Sequence, residues 1–272
     1  MVYSPHTNQE VSDILRLRNK SDLHISGKAR GELKTDTLSL ANLNTILFYE
    51  PEEMIVSVQA GIAISELQKK LSAKGQWIPT LVAEESLEHT IGAAIAMDHY
   101  HPRSKSCGAL RTTILGGTFC TTNGEIFKSG SRVVKSVAGY DIHRSFCGSL
   151  GRFGIILDVT LKVQPLPEIF HRFLAPIVSR EKILQLHPSC LEEFSAKLLV
   201  EISGYKEDIE ADIIELESSK INIEELNDEN WNAAIKSVIQ LQDEEKKKYL
   251  SSDVVELLKK VQRVFDPEGV LV

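Results

Sequence analysis

The chain has 272 residues, 42% hydrophobic and 25% charged, with a formal net charge of −7. That composition is ordinary for a globular protein and excludes collagenous, coiled-coil and disordered classes; the length suffices for a large core in one large domain or two modest ones. Residues 206–248 hold 13 acidic residues and 6 lysines, which already sums to −7, so no basic stripe is left for nucleic acid and the acidic stretch reads as a solvated face.

No window approaches 18 uninterrupted apolar residues, so no transmembrane segment is expected. The opening MVYSPHTNQEVSDI lacks a basic stretch followed by an apolar one, the mark of a secretory leader. Cys107, Cys120, Cys147 and Cys190 stand 13, 27 and 43 apart with no CxxC pair. This predicts free thiols, no metal site and a cytoplasmic location.

In chain order, Val11, Ile14 and Leu15 predict a helix over Gln9–Arg18. Leu23–Ile25 reads as a strand stopped by Ser26-Gly27, and Leu38, Leu40, Leu43 and Ile46 as a strand end and a buried turn. Met54–Ala60 alternates with period two. Ile64–Ala73 carries an apolar stripe at Ile64, Leu67 and Leu71, with Gly75 where a left-handed residue closes a helix. Thr90 caps a helix over Ile91–Ala96. Arg111–Thr121 and Glu125–Val134 read as strands around a two-residue turn at Asn123-Gly124. Gly154–Val163 is a further strand. Beyond Pro165 and Pro167 come strands near Phe173–Val178 and Lys197–Ile202. The last helix, Asp253–Val264, is expected to bury Val254, Leu257, Leu258, Val261 and the adjoining Phe265.

Fourteen of the 16 glycines precede residue 155, so close backbone approaches concentrate there. Three glycine-bearing features could carry chemistry. Ser26-Gly27-Lys28-Ala29-Arg30-Gly31 follows a strand; exposed amides flanked by two cations suit a phosphate, and a plain surface turn is the alternative. Thr90-Ile91-Gly92-Ala93 opens a helix whose amides could face an anion, tight helix packing being the alternative. Gly139, Gly148, Gly151 and Gly154 precede the strand that begins Ile155-Ile156, implying backbone held close to a flat ligand edge. His99 and His101 read as a surface loop rather than a ligand pair, and His143 as structural. Arg111 is either a buried cation near a ligand or a surface ion-pair partner. Tyr140 and Asp141 fix a turn.

The segments ILFYEPEEMIVSVQAG (46–61), ISELQKKLSAKGQWIP (64–79), TIGAAIA (90–96), GALRTTILGG (108–117) and VVKSVAGYDIHRSFCGSLGRFGIILDVTLKVQPLPE (133–168) resemble the flavin domain of the vanillyl-alcohol oxidase / p-cresol methylhydroxylase (PCMH) family. Within it they are most similar to the FAD-binding subunits of bacterial glycolate oxidases. The end VQRVFDPEGVLV is similar to the same subunits. The resemblance implies an α+β fold: a two-subdomain PCMH-type FAD-binding domain over 1–167, a reduced α/β cap over 168–248, and a C-terminal helix and tail over 249–272 packing back on the first domain. It implies FAD, bound non-covalently by Ser26, Gly27, Lys28, Ala29, Arg30, Gly31, Thr90, Ile91, Gly92, Ala93, Gly108, Arg111, Gly139, Gly151, Gly154, Ile155 and Ile156. His24 precedes the loop within a strand, which argues against covalent attachment.

The implied role is an FAD-binding, electron-relaying subunit of a glycolate-oxidase-like 2-hydroxyacid dehydrogenase complex. Its partners would be a catalytic flavin subunit and an iron–sulfur subunit, with any membrane association peripheral and through those partners. No catalytic base is identifiable from the sequence. The loop at 26–31 is shorter than the family's, Gly92-Ala93 replaces a glycine pair, and 97–103 departs from the family's turn. The alternative is therefore a structural subunit that keeps the fold without FAD.

Overall fold

The computed structural model describes residues 1–17, 23–27, 36–81, 89–98, 100–130, 141–248 and 252–266. Lys28, Ala29, Arg30, Gly31, His99, Gly139 and Tyr140 lie outside the described residues, as do the side chains of Val254, Leu257, Leu258 and Phe265.

The chain opens with β1 (Val2–Tyr3), α1 (Asn8–Leu17), β2 (Leu23–Ser26) and β3 (Asp36–Ser39). The three strands form a parallel sheet in the order β1-β3-β2. α1 buries Val11, Ser12 and Leu15 at helical spacing, and the Ser12 hydroxyl donates to the Gly124 carbonyl at 2.6 Å, tying this sheet to the next.

β4 (Ile46–Glu50) and β5 (Ile55–Gln59) lead into α2 (Ile64–Ser72), whose Ile64, Leu67 and Leu71 are buried as the stripe predicts. Gly75 is left-handed at φ +65°, but two residues beyond the helix cap at Ala73. The short β6 (Gln76–Trp77) precedes α3 (Ile91–Met97), α4 (Ser104–Cys107) and α5 (Leu110–Thr113). β7 (Ile114–Cys120) therefore starts three residues later than expected. The Thr112 and Thr113 hydroxyls bond back to the carbonyls of Ala109 and Leu110, each at 2.7 Å, which satisfies a helical turn where a strand was expected. β8 (Ile126–Gly130) follows a three-residue turn, closed by the Thr121 amide on the Glu125 carbonyl, with Gly124 at φ +82°.

After α6 (Ile142–Ser145) comes β9 (Ile155–Lys162). It is buried along seven of its eight residues because it lies between β5 and β7 in the antiparallel sheet β4-β5-β9-β7-β8. The register shifts between Thr118 and Phe119, and Asp158 Oδ1 accepts the Thr118 amide at 3.1 Å where the ladder is disturbed. β10 (Gln164–Pro165) pairs with β6.

The rest of the chain forms another antiparallel sheet, β12-β13-β11-β14, from β11 (Ile169–Pro176), β12 (Cys190–Phe194), β13 (Lys197–Gly204) and β14 (Glu224–Glu225). β11 stops at Pro176 rather than Val178: a 3-10 turn follows, and the Ser179 hydroxyl takes the Pro176 carbonyl at 2.5 Å. The short helix α7 (Arg180–Leu184) buries Ile183. α8 (Lys206–Ser218) buries only Ile209 and Leu216, against Phe173, Leu198, Val200 and Ile202 on one sheet face. On the other face α9 (Asp228–Lys248) sets Trp231, Ala234, Ile235 and Val238 against Cys190 and Leu199. The acidic residues of α8 are largely solvated, as expected of the charged stretch they belong to. In α10 (Ser252–Phe265), Val261 packs against the core of the first half.

The two halves meet at a buried charge cluster. Arg103 donates from Nε to Glu201 Oε1 at 2.6 Å and from Nη2 to Oε2 at 2.5 Å. Glu201 is fully buried and also receives Arg172 Nε at 2.8 Å and the Ser189 hydroxyl at 2.8 Å. The Arg103 guanidinium lies 5.1 Å from the Trp77 ring centroid. His101, expected in a surface loop, is instead only 4% exposed; its Nδ1 accepts the Arg103 amide at 3.1 Å. Its buried Nε2 has no hydrogen-bond partner among the described residues. All four cysteines are free, and no described group of His, Cys, Asp or Glu is arranged to hold a metal.

Candidate functional site

A cavity of about 430 Å³ opens where the end of β2, the first turns of α3 and the segment leading into β9 converge. Its volume falls within the span of small-molecule sites, roughly 300–1,000 Å³. From β2 and the residue after it come His24, Ile25, Ser26 and Gly27; from α3 and its approach, His89, Thr90, Gly92, Ala93, Ala96 and Met97; from the last segment, Leu150, Gly151, Gly154, Ile155 and Ile156. Leu40 and Ala60 close the floor.

Nine of the residues expected at a site thus share one cavity: Ser26, Gly27, Thr90, Gly92, Ala93, Gly151, Gly154, Ile155 and Ile156. Ile91, Gly108 and Arg111 do not line it. Ile91 points into the core. Gly108 ends α4 at φ +88°, beside Thr112. Arg111 takes the surface alternative: its side chain is 47% exposed, 3.5 Å from Asp98 Oδ2, and donates to the carbonyls of Arg144 and Cys147. It braces the turn behind the cavity wall. His143 is structural as expected, buried with its Nδ1 3.1 Å from the Ser129 hydroxyl. Asp141 pairs with Arg144 at 3.5 Å across the turn it opens.

The expectation of bare amides at the head of α3 is corrected. The Ile91 amide donates to the Ile62 carbonyl at 3.0 Å, Gly92 to Ala60 at 2.8 Å and Ala94 to Thr90 at 3.0 Å. The Ala93 amide donates to Thr90 Oγ1 at 3.3 Å. All four donors are spent within the chain, so Gly92 is small for packing: a Cβ there would lie 2.8 Å from the Ala60 methyl. Gly27 is a similar close approach, since a Cβ would lie 2.1 Å from Thr90 Oγ1. Gly154 makes room for the Cys120 carbonyl rather than for a ligand.

Gly151 differs. It sits at φ +77°, and a Cβ there would meet nothing closer than Ile25 Cδ1 at 3.8 Å, so it faces open space. The residue before it, Leu150, is left-handed at φ +54°, 59% exposed, and part of the same wall. Among the described lining residues none is Lys, Arg, Asp or Glu; the polar groups are His24, Ser26, His89 and Thr90. A flat, largely apolar ring system edged by a few polar groups fits such a lining. His24, Ile25, Leu40, Ala60, His89, Ala96, Met97 and Leu150 were not singled out from the sequence as lining residues. Of these, Ile25, His89 and Leu150 had a usable signal, each adjoining a segment that was.

The comparisons with known proteins agree with this geometry. Residues 1–130 match the family described as "FAD binding domain". A D-lactate dehydrogenase of Anaerostipes hadrus is 27% identical over 259 residues, covering 79% of this chain and 54% of the relative. Glycolate oxidase subunit GlcE of Escherichia coli is 30% identical over 131 residues, covering 48% of this chain and 37% of the relative. Glycolate oxidase subunit GlcD of Bacillus subtilis is 28% identical over 183 residues, 64% of this chain and 39% of that subunit. The chain spans about half, or less, of the length of these relatives. A solved alkyldihydroxyacetonephosphate synthase superposes with a TM-score of 0.62 at 18% identity, over 85% of this chain and 52% of its own, and shows the same fold. Residues 1–130 thus match a PCMH-type FAD-binding domain, and over the rest of the chain the likeness to solved structures is one of fold.

Proposed function

We propose that this chain is the FAD-binding subunit of a glycolate-oxidase-like 2-hydroxyacid dehydrogenase complex, holding FAD non-covalently and relaying electrons within the assembly. The observation that carries the reading is the convergence of β2, α3 and the 150–156 segment on one ring-sized, mostly apolar cavity. When bound there, the flavin supplies a two-electron acceptor that no protein side chain provides. The chain's own contribution is the walls: Ile25, Leu150 and Ile156 exclude water, Gly151 admits a close approach, and Ser26 and Thr90 supply hydroxyls. Lys28, Ala29, Arg30, Gly31 and Gly139 complete the proposed site.

The proposed organisation is an FAD-binding domain to residue 167, a reduced cap over 168–248 and a C-terminal helical segment. A cap of about 80 residues is small for covering a flavin edge, which favours a catalytic flavin subunit and an iron–sulfur subunit as partners. No helix among the described residues is long and apolar enough to cross a membrane, and the proposed setting is cytoplasmic. The cofactor-free alternative is disfavoured by the well-formed cavity. Purification of the full chain, followed by a visible spectrum and identification of any flavin released on denaturation, tests the reading. FAD near one per chain is expected; no bound flavin, together with no uptake on titration with FAD, overturns it.

A further inference from the structure

The segment that leaves the cavity helix runs directly into the second sheet. Ala96 and Met97 of α3 line the cavity, and Arg103 follows six residues after Met97. Between 100 and 106 four side chains reach across to the second sheet. Tyr100 donates to Glu192 at 2.5 Å and Lys105 to the same carboxylate at 2.6 Å. The Ser106 hydroxyl donates to the Ser189 carbonyl. Arg103 forms the two-pronged pair with Glu201, and it is the deepest of the four links, with its side chain 5% exposed and that of Glu201 at 0%.

Glu201 serves two cations unequally. Arg172 belongs to β11, held in its ladder against β13, and has a second carboxylate in Asp228 at 2.5 Å. Among the described residues, the Arg103 guanidinium has only Glu201 as a charged partner; its other hydrogen bond is a long contact with the Pro79 carbonyl at 3.5 Å. Its backbone sits at the start of the single-turn α4, in no sheet ladder. Were the carboxylate neutralised, two buried guanidinium groups would share no counter-ion, and the unpaired charge could not remain dry. Arg172 keeps Asp228 and its strand. The cheaper relief is for Arg103 to swing to water, carrying the 100–107 segment and pulling on α3.

We propose that Glu201 is a positioning residue for the cavity: by clamping Arg103 across the two halves, it fixes the register of α3 against β2 and the 150–156 wall. The clamp makes ligand affinity depend on a carboxylate that lines no part of the cavity. The inference rests on the cofactor reading above for the identity of the ligand, but the mechanical link can be read without it.

The test uses hydrogen exchange on the full-length chain, together with FAD titration, for the parent, Glu201→Gln, Glu201→Asp and the surface control Glu193→Gln, whose partner is Arg180. Glu201→Gln is expected to speed exchange across 91–107 at least tenfold, with 155–162 within twofold of the parent, and to weaken FAD binding at least tenfold. Glu201→Asp keeps the charge and should fall between the two, while Glu193→Gln matches the parent. Exchange over 91–107 within twofold of the parent in Glu201→Gln overturns the proposal. So does equal acceleration in 155–162, which would mark a general loss of stability, or failure of both Glu201 variants to fold. A parent that takes up no FAD sinks the cofactor reading alone, since the exchange rates still decide the link.

Discussion

The Gly92 amide donates to the Ala60 carbonyl at 2.8 Å, and a methyl group placed on Gly92 would come within 2.8 Å of the Ala60 side chain. The helix that walls the cavity is thus laid on the turn after β5 with no space between them. Gly92→Ala should destabilise the chain by about 1–3 kcal/mol through overpacking. It should also push α3 toward the cavity and weaken flavin binding. Ala60→Gly in the same chain removes the facing methyl and should restore most of both losses. Thermal melts and flavin titrations of the two single variants and the double check this; additive losses in the double would show that the two residues do not oppose each other.

Leu150 is a strained apolar residue held at the cavity wall. An L-residue in left-handed conformation costs roughly 1–2 kcal/mol, part of which glycine's greater backbone freedom offsets in the unfolded chain. Leu150→Gly should therefore raise stability by on the order of 1 kcal/mol or less, while losing the apolar contact with the ligand. The expected result is a higher melting temperature with weaker flavin binding. A variant that gains stability and keeps parent affinity would mean that Leu150 does not touch the ligand.

Stability should fall on the acid side well before the carboxylates titrate. Burial, helped by the neighbouring Arg103 charge, pushes the His101 pKa down to about 3. The unfolded chain takes up that proton near pH 6.5, so the folded state holds fewer protons below that point. The contribution is complete above about pH 6.5 and is lost progressively as pH falls toward 3, at up to about 1.4 kcal/mol per unit. His143 and His171 are also depressed by burial and add in the same direction. The two arginines hold Glu201 below the usual carboxylate range against its own desolvation, so its share disappears only at still lower pH. Urea denaturation at pH 7.5, 6.5 and 5 should show His101→Gln losing about 1–2 kcal/mol less than the parent between 6.5 and 5. Parallel curves would show that His101 is not buried neutral.

Much of the first half was legible because its signals are local. The α2 stripe, the Thr90 cap and the β9 run each follow from neighbours a few residues apart. What escaped depends on partners far away in sequence. Arg103 and Glu201 are 98 residues apart, and no local pattern announces a buried pair. His101 reads as polar loop until Arg103 is known to be buried beside it. β12 and the two-residue β14 owe their existence to pairing with β13 and β11 rather than to their own propensity. The head of α3 looked like an anion site because its glycine and small residues are shared by two designs, and only the Ala60 and Ile62 carbonyls show which one is used.

With those amides spent, the charge that would hold an anionic dinucleotide has to come from elsewhere. No described lining residue is Lys or Arg. Ser26 and Gly27 do line the cavity, and Lys28 and Arg30 follow them directly in sequence. A charge-assisted bond to a pyrophosphate contributes on the order of 1.5–3 kcal/mol. The double variant Lys28→Ala/Arg30→Ala should therefore lose at least tenfold in FAD affinity, about 1.4 kcal/mol being one decade. Because the bonds are ionic, the parent's affinity should also fall as salt rises, and the variant's less steeply. FAD titrations of both chains at low and high salt measure the two effects together. Equal affinity in the two chains, or identical salt dependence, would show that these cations face solvent and that the phosphates are held by backbone alone.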